Sequence, residues 1–160
     1  MNFSKILIAV LFMFSSIIAY SQAEKLEQLK SNKPLYEAFQ KFYVKNIREE
    51  TKDEWGEPYY YTAEIYGVNF FDYNNDGSTD CFIEFSSRAS DGGTFYFLTA
   101  VLFEKFNNEY RYISNFHPFN MSFEKFSYPY FIYSEYSNFT YNEKIGDKKY
   151  LLLNNKFVEQ

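Results

Sequence analysis

The sequence predicts an α+β domain in which N-terminal helices pack on an antiparallel β-sheet made of hairpins. Three observations predict it. Apolar residues recur at helical spacing between positions 23 and 47, aromatic and aliphatic residues alternate in short runs from Tyr59 onward, and Asn-Asn pairs stand where tight reversals are needed. Helices first and hairpin-linked strands after are the order of an α+β fold, not of alternating parallel units. No repeat at a fixed period is visible.

The chain begins with a three-part leader. Lys5 supplies a positive start, Ile6–Phe14 is an unbroken apolar run of nine residues, and Ala19 and Ser21 form an A-x-A-like pair. That is the layout of a secretory signal peptide over residues 1–21, cut between Ser21 and Gln22, with a cut after Ala23 also fitting. Counted to Ile18 the apolar stretch is about thirteen residues, short of the roughly 20 that span a bilayer. A lipoprotein would need a cysteine just after the cut, and the one cysteine is Cys81. The expected product is periplasmic or extracellular, not a lipoprotein, with no membrane span in the mature chain.

Residues 22–160 then form one domain of 139 residues, long enough to bury roughly two-thirds of its unfolded surface without a disulfide. A lone cysteine cannot make an internal one. Without Lys5 the chain carries 15 basic and 21 acidic residues, a net charge of −6. An acidic surface repels phosphate backbones, so nucleic acid is not expected as a partner, and anionic lipid has nothing to attract it. Phe and Tyr are abundant, at 20 and 17 residues. AT-rich codons and the fit of aromatics to half-buried strands account for that bias; a stacking surface for a ligand is the other reading.

Two helices come first. Leu26 and Leu29 share one side of 23–30. Ser31 or Asn32 can cap a second helix with Pro34 in its first turn, where a missing N–H costs nothing. Leu35, Ala38, Phe39, Phe42 and Ile47 give that helix its apolar stripe. Glu49, Glu50, Asp53, Glu54 and Glu57 follow as an acidic run, read as a solvated face. Strands are expected over Tyr59–Phe71, Cys81–Ser86 and Thr94–Phe106. In the last of these, Val101 and Phe103 take one face and Ala100 and Leu102 the other, which marks a central strand covered on both sides. Asn107-Asn108 turns into Glu109–Phe116, because Asn tolerates positive φ. Weaker strands follow at Tyr128–Tyr136 and Tyr150–Leu153, and Asn154-Asn155 leads into Lys156–Glu159.

One motif carries chemistry. Asp72-Tyr73-Asn74-Asn75-Asp76-Gly77-Ser78-Thr79-Asp80 reads D-x-N-x-D-G-x-x-D. In a tightly curled loop, alternate residues can turn their oxygens inward, so Asp72, Asn74 and Asp76 can face one point. Gly77 takes the sharp turn, Ser78 offers its carbonyl, and Asp80 closes the set. About six or seven hard oxygens suit Ca²⁺ better than Mg²⁺, which keeps its waters. Without sulfur or imidazole the loop does not suit a soft metal. The expectation is one structural Ca²⁺ per chain. An Asn/Asp/Gly hairpin connection that binds nothing is the alternative.

The first five ligand positions resemble an EF-hand, but the twelfth is Ile83 and strand-type sequence flanks the loop. The pattern is more similar to the strand–loop–strand calcium motif of FG-GAP and VCBS propeller blades, in which the ninth-position Asp finishes the site and an apolar strand follows, here Cys81-Phe82-Ile83. A single such loop does not make a propeller. From Tyr66 to Leu102 the chain also resembles small secreted bacterial proteins of uncharacterised function, in which the loop precedes a G-G-x-G-T-F-Y-Y-type strand. This chain has Asp91-Gly92-Gly93 followed at once by Thr94-Phe95-Tyr96-Phe97. The resemblance implies a fold pattern and a metal but no activity.

No catalytic constellation stands out, and the protein is not expected to be an enzyme. His117 is the only histidine, and Cys81 lies on an apolar strand face, where a thiol is inert. Zinc lacks its N/S set. The leading expectation is therefore a secreted or periplasmic non-catalytic domain, stabilised by calcium, that binds an extracytoplasmic protein or glycan. An inhibitor or immunity-type protein acting on an extracytoplasmic enzyme is one alternative. A glycan-binding or glycan-active protein using exposed Tyr and Trp55 is the other. An aromatic row beside carboxylates in a cleft would favour glycan, and a flat apolar patch larger than roughly a few hundred Å² would favour a protein partner.

Overall fold

The computed structural model describes residues 23–48, 61–89, 96–138 and 140–160. The expected signal peptide and its cut, the acidic run 49–57 with Trp55, and Asp91-Gly92-Gly93 lie outside the described residues.

Helix α1 covers 23–31 and α2 covers Lys33–Tyr43, continued by a π-helical turn over Val44–Arg48. Asn32 caps α2 as expected: its Oδ1 accepts from the Leu35 N–H at 3.3 Å, and proline sits in the first turn. Eight strands follow: β1 Tyr61–Phe71, β2 Asp80–Ala89, β3 Tyr96–Phe106, β4 Glu109–Phe116, β5 Met121–Ser127, β6 Tyr130–Tyr136, β7 Lys144–Leu153 and β8 Lys156–Glu159.

The expectation of helices on one antiparallel sheet is overturned. The strands form two four-stranded antiparallel sheets, ordered β1-β2-β3-β4 and β5-β6-β7-β8, and the described chain is mostly β with two short helices. The break falls at His117-Pro118-Phe119-Asn120. Pro118 has no N–H to give a ladder and Asn120 takes φ 52°, so the chain leaves the first sheet after β4 and starts the second at β5. Strand β5 was not expected at all, and β7 begins six residues before the predicted Tyr150.

Two cores result, one on each face of the first sheet. Leu29, Leu35, Phe39, Phe42 and Tyr43 cover Ile65, Val68, Cys81, Ile83, Phe85, Val101 and Phe103. On the opposite face Phe82, Ala100 and Leu102 meet Met121, Phe131, Tyr133 and Tyr150 of the second sheet. The alternation along β3 was thus read correctly; its second cover is a sheet. Aromatics fill the space between the sheets. Phe71 stacks on Phe126 with centroids 4.5 Å apart, Phe82 lies 5.2 Å from Phe131, and Phe116 lies 4.6 Å from Phe157. Rings of this size bury much area per residue and gain further from offset and edge contacts. Both Asn-Asn turns are left-handed as expected, with φ 51° and 63° at Asn107 and Asn108 and 50° and 59° at Asn154 and Asn155. Among the described residues no helix is long and apolar enough to cross a membrane.

Candidate functional site

The Asp72–Asp80 loop joins β1 to β2, and its ends pair directly, Phe71 opposite Asp80. Asp72 organises the turn. Its Oδ1 accepts from the Asp76 N–H at 3.1 Å and its Oδ2 from the Gly77 N–H at 2.8 Å. The Asn74 Oδ1 also accepts from Asp76 N–H at 3.1 Å, and the Asp76 Oδ1 accepts from Ser78 N–H at 2.7 Å. Asn74 Nδ2 donates to Asp76 Oδ2 at 2.9 Å. Positive φ at Asn75 (60°) and Gly77 (85°) provides the sharp reversal that the motif requires.

Asp80 behaves differently. It is 0 % exposed, and each carboxylate oxygen is held by a backbone donor: Oδ2 by the Tyr73 N–H at 3.1 Å and Oδ1 by the Lys105 N–H at 2.8 Å. The residue therefore ties the start of the loop to the end of β3. Burial raises its carboxyl above the usual range; those two N–H groups oppose the shift, and the charges of Asp76 and Asp72 add to it. The Ser78 N–H and then the Asn74 amide hold the Asp76 carboxyl low. All five predicted residues thus lie in one loop. Asp72, Asn74 and Asp76 are directly linked by hydrogen bonds, Ser78 joins through its N–H, and Asp80 turns into the sheet. Among the described residues no group of three His, Cys, Asp or Glu side chains is gathered as a metal cage.

Three further residues attach to the loop from the β3–β4 hairpin. Glu104, only 8 % exposed, accepts from Asn74 Nδ2 at 2.9 Å and from the Tyr73 hydroxyl at 3.4 Å, and is paired with Arg111. Burial and then Glu104 push the Tyr73 hydroxyl up to about 12. Lys105 supplies the backbone donor to Asp80. No spacing within the motif could have pointed to residues 24 to 31 positions beyond Asp80.

A second feature is a cleft of about 1220 Å³ between the sheets. Glu64, Tyr66, Glu84, Asn120, Tyr136 and Tyr141 line it. Glu84 projects from β2 on the same face as Phe82, is buried, and has its carboxyl pushed up to about 7 by desolvation, against the opposing pull of the Phe123 N–H. The neighbouring Tyr133 hydroxyl is buried in a contact too loose to count as a hydrogen bond. The signal in the sequence was a charged residue inside a strand apolar on both faces. His117 Nδ1 lies 3.2 Å from Thr99 Oγ1 and 3.3 Å from the Leu98 carbonyl oxygen. Cys81 pairs with Phe103 and Thr99 with Phe85, so thiol and imidazole are held at places on the sheet roughly 13 Å apart along the strand direction. No family model, curated protein or solved structure matches the chain.

Proposed function

We propose that the protein is an exported, non-catalytic binding domain whose Asp72–Asp80 loop takes one Ca²⁺ to hold β1 against β2. The observation that carries the reading is the curled loop itself, with Asp72, Asn74 and Asp76 bound to one another across a left-handed Gly77. The donor set fits a hard cation. Asp72 and Asp76 each use one hydrogen bond per oxygen and keep further lone pairs, and all the remaining candidates are oxygens as well. Asp72, Asp76, the Asn74 amide oxygen and the Ser78 carbonyl would hold the ion, with Asp80 contributing the lone pairs its two N–H partners leave. A bound cation would offset the negative charges of Asp72 and Asp76, which lie near enough to Asp80 to raise its carboxyl. A small polar ligand in the Glu84 cleft, rather than a broad protein surface, is the target class this geometry favours.

Calorimetric titration of chelator-treated protein with Ca²⁺ tests the metal. One site per chain is expected in the wild type and none in Asp76→Ala. A wild type that takes no calcium reduces the loop to a hydrogen-bonded turn, and full binding by Asp76→Ala moves the site elsewhere.

A further inference from the structure

The cleft between the sheets gathers two carboxylates and a buried amide oxygen. Glu84 is 9 % exposed, and among the described residues it forms no ion pair. Glu64 adds a second carboxylate to the lining. The Asn120 Oδ1 is buried there without a hydrogen-bond partner. Space at this point depends on Gly67, which faces Glu84 across the β1 bulge. A Cβ at Gly67 would stand 3.1 Å from Glu84 Oε2 and 3.1 Å from Asn69 Nδ2, so glycine leaves both side chains room at the cleft wall.

The aromatic lining has a definite shape. The Tyr136 and Tyr141 rings meet edge to face, with centroids 5.0 Å apart and planes at 70°. Two rings set at that angle make a corner, whereas a sugar ring stacks on one broad aromatic face. The basic groups are few. Lys25 lines the cleft from α1 but pairs with neither carboxylate among the described residues, and His117 Nδ1 is engaged by Thr99 and Leu98.

We infer that this cleft binds an organic ammonium group, with Glu84 as its counter-ion and Tyr136 and Tyr141 as its aromatic walls. A compact cation gains from aromatic rings on more than one side and from a carboxylate kept out of water. Its N–H or polarised C–H groups supply a donor to the Asn120 Oδ1, which has none, and a charge opposite Glu84, which has no ion pair among the described residues. Desolvation holds part of the Glu84 population protonated near neutrality. Binding should therefore strengthen as pH rises through that range and Glu84 ionises. The other titratable groups facing it are Lys25, Glu64 and Tyr66 from the first half of the chain, His117 from the crossover, and Tyr133, Tyr136 and Tyr141 from the second sheet side. The Tyr133 and Tyr141 hydroxyls are themselves raised by burial and stay neutral. The inference rests on the reading of this chain as a binding domain but not on its calcium loop.

The test titrates tetramethylammonium and choline into the calcium-loaded full chain, with glucose and N-acetylglucosamine as neutral comparisons. Wild type, Glu84→Gln and Tyr141→Ala are followed by NMR at about pH 6 and about pH 8. Tyr141 is 42 % exposed, so its truncation leaves the fold intact where a core change would not. The ammonium probes should bind the wild type, more tightly at the higher pH. Glu84→Gln should weaken them about tenfold and remove the pH dependence, and Tyr141→Ala should weaken them several-fold. Binding of the sugars without the ammonium probes, equal ammonium binding by all three proteins, or no binding of either class overturns the inference. Repeating the titration in chelator separates the two proposals: a loop that takes no calcium leaves the cleft result standing.

Discussion

Asp76 and Asp80 bring the same side chain to one loop and give it opposite duties. Asp76 is solvent-exposed and caps only its neighbours, whereas Asp80 is buried and satisfies backbone donors of Tyr73 and Lys105. Removing a buried acceptor leaves its donors unpaired, at about 1–3 kcal/mol each. Asp80→Ala should therefore lower stability by about 2–6 kcal/mol in urea denaturation, with or without calcium. Asp76→Ala should leave the calcium-free midpoint nearly unmoved. Glu84 makes a separate prediction. Its folded value near 7 stands above its usual 4.5, so the folded state holds a proton that the unfolded chain gives up earlier. The associated stability is fully present below the lower value and is lost as pH rises to the upper one. With 1.36 kcal/mol per unit, the loss between them is at most about 3 kcal/mol. Urea midpoints across this window should fall with rising pH, and Glu84→Gln should remove that part of the slope. The motif residues were legible because their chemistry is local. Glu104 and Arg111 were not, because a cross-strand partner leaves no mark on the spacing of the loop it touches.

At the scale of elements, the α2 cap, the Pro34 start and the two Asn-Asn turns were readable because each is set by a few adjacent dihedrals. Asn32→Ala removes the acceptor for the Leu35 N–H and a 3.4 Å contact to the Tyr110 hydroxyl. The expected cost is about 1 kcal/mol, measured by thermal or urea unfolding. Strand β5 escaped notice for a physical reason. A bulge between Phe123 and Lys125 puts Met121, Phe123 and Phe126 toward the second core, so the period of two fails midway. The first half of β7 is polar and largely exposed, with Lys144, Asp147 and Lys149 on it, and reads as loop for want of an apolar face. Its partner β6 defines it as a strand through the ladder, Ser134 opposite Asp147 and Ile132 opposite Lys149.

At the scale of the whole molecule, the apolar residues on both faces of β3 said that two covers were needed. The helices are one. The sequence offered no second helical stripe for the other, and the weak strands after Tyr128 belong to the sheet that supplies it. The abundance of Phe and Tyr follows from that architecture, since Phe71, Phe82, Phe116, Phe123, Phe126, Phe131 and Phe157 pack between the sheets. The Asp72–Asp80 loop lies at one end of the β1–β2 pair, which belongs to the sheet shared by both cores. Neutralising the Asp72, Asp76 and Asp80 charges there should stabilise the assembled domain without remodelling it. Binding to the folded state alone contributes RT ln(1 + [L]/Kd), about 2.7 kcal/mol at a hundredfold excess over Kd. For a domain of this size that is on the order of 5–10 °C in Tm.

The most direct test is calorimetric melting of the wild-type chain in millimolar calcium and in chelator, with far-UV circular dichroism below the transition. A Tm higher by on the order of 5–10 °C in calcium is expected, with an unchanged far-UV spectrum and no shift in Asp76→Ala. An unshifted wild-type melt, or a large gain of secondary structure on adding calcium, would contradict a structural calcium site at this loop.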